Sequence, residues 1–113
     1  MSGNETEFVF VYSTFPDAEA AKRVGDHLVR EKLAACVNIH GPMTSIYEWK
    51  GEIETEIEVA AFIKTRAALA GEVIAQARKL HPYSVPCFLV LPIAGGNEDY
   101  LEWARTQTRG NNR

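Results

Sequence analysis

The amino-acid sequence predicts an α+β fold of the ferredoxin-like, split βαβ type. Runs of β-branched and aromatic residues, with strict alternation in the longest of them, mark four strands. Two stretches of helical spacing separate the first strand from the second and the third from the fourth, so the order reads β-α-β-β-α-β with a short C-terminal helix. Right-handed crossovers set both long helices on one face of a single antiparallel sheet, with strand order 4-1-3-2. The other sheet face is then left without helices.

Glu7 to Thr14 is the first strand, rich in aromatic and β-branched residues. Pro16 stands where a helix begins, and the acidic Asp17 and Glu19 suit the positive end of its dipole. Ala21, Val24, Gly25, Leu28 and Val29 recur as one apolar stripe, which carries this helix to about Lys32. Ala34 to Ile39 is the second strand. His40-Gly41-Pro42 interrupts it, because proline has no N–H for a ladder, and the strand resumes at Met43.

A long hairpin follows. Ile46 and Glu48 alternate with Tyr47 and Trp49, and Lys50-Gly51 turns the chain, with the glycine at positive φ. On the return arm Glu52, Glu54, Glu56 and Glu58 occupy one face, and Ile53, Thr55, Ile57 and Val59 the other. That arm continues through Ile63 to Thr65, well beyond the roughly 5–6 residues of an ordinary strand. So long a hairpin overhangs a small domain and leaves backbone groups unpaired unless another copy pairs with them. A homo-oligomer assembled through strands is expected.

Arg66 to Leu80 reads as the second helix, with Leu69, Val73, Ala77 and Leu80 on one face, and His81-Pro82 stops it. Pro86 to Ile93 is the last strand, Gly95-Gly96-Asn97 a turn, and Glu98 to about Thr106 a short helix. The 113 residues form one domain over 7–106, with 1–6 and 107–113 as flexible tails. Net charge is −3, and five glutamates between positions 48 and 58 repel phosphate, so no nucleic-acid partner is expected. No apolar run reaches the ~20 residues of a membrane helix, and the polar start lacks a secretory pattern. A cytoplasmic protein with no membrane partner is expected. Enzyme signatures such as GxSxG, GxGxxG and HExxH are missing, and the chain reads as a non-enzyme.

Several segments together resemble the CutA family of divalent cation tolerance proteins. They are Leu33-Ala-Ala-Cys-Val-Asn-Ile39, Ser45-Ile-Tyr-Glu-Trp-Lys-Gly51, Ile63-Lys-Thr65, His81-Pro-Tyr83, Val85-Pro86, Leu91-Pro-Ile93 and Tyr100-Leu-Glu-Trp103. The resemblance implies a ferredoxin-like protomer, a homotrimer whose long strands extend sheets between subunits, and a role in tolerance to divalent metal ions, chiefly copper. Members commonly carry acids where this chain has Ser84 and Cys87, and some carry a thiol at the place of Ser13.

Two residues are candidate metal ligands. Cys36 is a soft donor suited to Cu(I) or zinc, or else a small buried hydrophobe. His81, the histidine inside a family motif, either binds metal or caps the second helix through backbone bonds. Copper or another divalent cation is expected as a weakly held ligand, with no tightly bound cofactor. Tyr47, Trp49, Tyr83, Tyr100 and Trp103 serve either packing or a pocket at a subunit boundary, with Lys64 as its charged anchor and Glu58, near Lys64, making a polar contact between subunits. Such a pocket supports the alternative function, a signalling or interaction module that binds a small ligand between subunits as PII proteins do.

Overall fold

The computed structural model describes residues 6–109. Its elements are β1 (Phe8–Phe15), α1 (Ala18–Arg30), β2 (Cys36–Trp49), β3 (Glu52–Arg66), a single 3-10 turn at Ala67–Leu69, α2 (Ala70–Leu80), β4 (Phe88–Pro92) and α3 (Glu98–Gln107). One four-stranded sheet has the order β2-β3-β1-β4, which is the expected order read from the other edge. Every pairing in it is antiparallel.

The first helix follows from local chemistry. The Asp17 carboxylate accepts from the Ala20 N–H at 2.9 Å and caps α1. The apolar stripe of α1 buries Ala21, Val24 and Leu28 against the sheet. Val73 and Ala77 of α2 join the same core, which meets Val11 and Phe15 of β1 and Ala61 and Ile63 of β3. Odd-numbered residues of β1 and of this part of β3 therefore face the helices. Their even-numbered neighbours, Phe10, Tyr12, Phe62 and Lys64, lie on the face that α1 and α2 do not cover.

The interruption of β2 is a register shift between His40 and Met43, and pairing with β3 resumes beyond it. Gly41 is needed there, since a Cβ on it would stand 2.6 Å from Cγ1 of Val59. The hairpin turn has positive φ at both central residues, 52° at Lys50 and 85° at Gly51. That is the type I′ geometry that matches strand twist. The pairing of β1 with β3 stops at Phe15 opposite Val59. Beyond it, Glu52–Glu58 and Met43–Trp49 pair with each other and project about 20 Å past the sheet. This arm gives the molecule its length of 47 Å against 30 and 22 Å in the other directions.

Two expectations need correction. Arg66 does not open the second helix. It ends β3, nearly fully buried, donating from Nε to Thr108 Oγ1 and from Nη2 to the Arg105 carbonyl, both at 2.7 Å. The C-terminal tail does not begin at 107: Gln107 closes α3, Thr108 is buried, and the Arg109 N–H donates to the Lys32 carbonyl. Residues 1–5 and 110–113 of the expected tails lie outside the described residues. No described helix is long and apolar enough to cross a membrane.

Candidate functional site

The overhang of the hairpin and the segment before β4 enclose an open cavity of about 530 Å³. Register explains its walls. Tyr47 lies opposite Glu54, Trp49 opposite Glu52 and Met43 opposite Glu58, so aromatic rings and carboxylates share one face of the arm. Tyr83, Val85 and Cys87 close the other side, and Thr14 lines the end of β1. The Tyr83 hydroxyl donates to Glu58 Oε2 at 2.7 Å. Glu58 is only 8% exposed. Burial, and then the hydrogen bond and charge of Glu58, push the Tyr83 pKa well up, so the phenol stays protonated. The Tyr47 phenol is also raised, by desolvation first and then by the charges of Glu56, Glu54 and Glu58. Desolvation first, and then Glu58, raise the Cys87 thiol, which disfavours its thiolate.

His81 supports this cavity from behind. Its Nε2–H donates to the Thr14 carbonyl at 2.8 Å, and its Nδ1 accepts from the Tyr83 N–H at 3.1 Å. These two bonds select the neutral Nε2–H tautomer. The ring stacks on Phe15 with centroids 4.4 Å apart. Burial, its largest influence, lowers the His81 pKa against the opposing effects of the Thr14 bond and Glu58. Both ring nitrogens are thus already engaged within the protomer, by backbone groups of Thr14 and Tyr83 and not by carbonyls of the second helix.

The remaining candidates lie elsewhere. Cys36 is half-buried opposite Lys64, at the far end of β3 from the hairpin tip and on the face without α1 and α2. His81 packs on the helix-covered side beside Phe15. One protomer does not bring these two together, and no group of three or more His, Cys, Asp or Glu able to hold a metal occurs among the described residues. Lys64 points to α3, its Nζ lying 5.4 Å from the Tyr100 ring centroid, and Tyr100 tilts against Trp103. Lys64 is therefore not near Glu58 within the chain: six residues along one strand separate them by about 20 Å. The expected pocket divides into two sets, Tyr47, Trp49, Tyr83 and Glu58 at one end and Lys64, Tyr100 and Trp103 at the other.

The family model described as "CutA1 divalent ion tolerance protein" matches residues 9–107, most of the chain. The chain belongs to this family. It is 43% identical over 101 residues to "Protein CutA, chloroplastic" of Arabidopsis thaliana, covering 89% of this chain and 56% of the relative. It spans only a little over half the length of that plant relative. It is 43% identical over 98 residues to the "Divalent-cation tolerance protein CutA" of Thermus thermophilus, covering 87% of this chain and 95% of the relative. The crystal structure of CutA1 from Oryza sativa superposes with a TM-score of 0.90 at 41% identity, covering 97% of this chain and 100% of that one. Within this CutA chain, Thr14, Ser84, Val85 and Cys87 are cavity-lining residues that sequence reasoning did not single out for a pocket. The signal that could have found Thr14 and Cys87 is register, because Thr14 follows Ser13 and Cys87 precedes Phe88, and those two residues pair across β1 and β4.

Proposed function

We propose that the protein serves divalent-cation tolerance as a strand-joined homotrimer that binds copper or another divalent cation weakly at subunit boundaries, and that it is not an enzyme. The overhanging hairpin carries this reading. Ile46, Ile53 and Ile57 are 71%, 69% and 62% exposed on one face of it, and register places them side by side. Further copies give that stripe a partner and satisfy the free strand edges. The number three rests on the family resemblance. Metal binding rests on the half-buried Cys36 thiol, which becomes part of a donor set only when symmetry adds ligands from other copies. The backbone-tied His81 supports a non-catalytic role, and the two free cysteines, Cys36 and Cys87, fit a reducing compartment such as the cytoplasm.

Sedimentation combined with Cu(I) competition titration tests this. A trimer is expected, with Cu(I) affinity falling sharply in Cys36→Ser while the assembly persists. A stable 12.6 kDa monomer would overturn the assembly. Equal copper affinity in wild type and variant would remove Cys36 from the site.

The cavity at the hairpin favours a second reading, a PII-like module that binds a small ligand. Its volume is in the usual range for small-molecule sites, and its walls mix aromatic rings with one buried charge. A thermal-shift screen of metabolites tests it, because a ligand of the folded form raises Tm.

A further inference from the structure

The charge in the cavity is negative, and within one protomer no described residue pairs with it as a counter-ion. Glu58 is 8% exposed, yet the ion pairs formed among the described residues do not include it. Its one hydrogen bond among them comes from the neutral Tyr83 hydroxyl, on Oε2. A buried carboxylate without a cationic partner is costly, and a cation in the adjoining space relieves that cost. Glu52, Glu54 and Glu56 extend the same negative face toward the hairpin tip.

The walls determine which kind of cation fits. A hard metal ion needs several oxygens converging on a point. Glu58 offers one oxygen beyond its bond to Tyr83, and the other glutamates lie in a row along the strand rather than around a centre. Tyr47, Trp49 and Tyr83 instead present aromatic rings, which attract cations through their faces without supplying inner-sphere ligands. Trp49 already receives a cation in this way, with Lys50 Nζ 6.0 Å from its ring centroid.

The geometry points to a site for an organic cation: the cavity between Tyr47, Trp49, Tyr83 and Glu58 takes a quaternary or multiply methylated ammonium group. Such a group needs no hydrogen-bond acceptors, spreads its charge over methyl groups that lie against rings, and neutralises Glu58. The inference rests on the small-ligand reading and names the ligand class. Within the protomer its sign is opposite to that of a Lys64-anchored pocket, because the chain's own Lys64 lies against Tyr100 at the other end of β3.

Three probes of similar size separate the outcomes: tetramethylammonium, neutral tert-butanol and anionic pivalate, titrated into the full chain. Binding is read from Trp fluorescence and from Tm. Tetramethylammonium is expected to bind about tenfold more tightly than tert-butanol. Glu58→Gln is expected to reduce that preference to about one, and Trp49→Leu to weaken tetramethylammonium about tenfold, both with the fold retained by circular dichroism. Tert-butanol or pivalate binding as well as tetramethylammonium, with loss in Trp49→Leu, would overturn the cation while keeping a small-ligand site. No response to any probe in wild type or variants would overturn both readings. Binding of tetramethylammonium by Lys64→Met but not by wild type would show that a lysine of a second copy fills the cavity, overturning the proposal. Zinc is titrated separately, and zinc binding by wild type that is lost in both Glu58→Gln and Cys87→Ser would reassign the cavity to metal and overturn the proposal.

Discussion

His81 shows how one side chain links stability to pH. Its folded pKa lies below the ordinary 6.5, chiefly through burial. As pH falls through about 6.5 the unfolded chain takes up a proton that the folded chain refuses until lower pH. The stability contributed by the neutral ring is therefore fully present above about pH 6.5 and is lost below it. Thermal melts are expected to show Tm falling as pH drops from about 6.5 to 5.5, with a flatter slope in His81→Gln. An equal slope in both proteins would assign the effect to other groups. Gly41 is a second sensitive position, because an added Cβ would also stand 3.0 Å from the Val59 Cα, which is backbone and cannot swing aside. Gly41→Ala is expected to cost about 1–3 kcal/mol in denaturant unfolding. The sequence showed His81 at a helix end, but not its bond to Thr14, which lies 67 positions away. Nor did it show the link between Glu58 and Tyr83. Such contacts depend on which chain ends meet in space, and no local period encodes them.

The elements themselves were legible because their signals are local. Alternation through Glu52–Val59 identified the return arm, and the spacing of Val24 and Leu28 identified α1. The boundary at Arg66 was not legible, since its burial depends on Thr108 and Arg105, which arrive 42 and 39 residues later. Those bonds hold α3 in place, and Arg105 adds a two-pronged contact to Glu7 at 2.7 and 2.8 Å. Arg66→Met is expected to cost about 2–3 kcal/mol by leaving buried acceptors unpaired, and to loosen α3, as read from a change in Trp103 fluorescence in a Trp49→Phe background. The hairpin turn gives a test of opposite sign. Lys50 bears a left-handed conformation that asparagine adopts more readily, so Lys50→Asn is expected to raise Tm, by up to about 1 kcal/mol of stability. Gly51→Val is expected to lower stability by about 1 kcal/mol or more. The cause there is conformational, since nothing lies within 4 Å of the added Cβ.

At the scale of the whole molecule, the projecting arm separates this chain from a rounded domain. Its radius of gyration is 15.0 Å, against about 13 Å for a compact chain of similar length. If assembly covers the isoleucine stripe, Ile57→Lys is expected to shift sedimentation toward monomer and to lower Tm, and wild-type Tm is expected to rise with protein concentration. A Tm independent of concentration, with unchanged sedimentation in Ile57→Lys, would remove the stripe from the interface. The strand order has a further consequence, for synthesis. β1 is central in the sheet, yet its neighbours β3 and β4 end at Arg66 and Pro92. A nascent chain emerges at about 5–20 residues per second. β1 therefore leaves the ribosome before either of its neighbours, and gains its second one only after β4 has been translated. Early folding falls to the β2–β3 hairpin, whose contacts are close in sequence, while the pairing that completes the sheet carries the long loop closure that slows high-contact-order proteins.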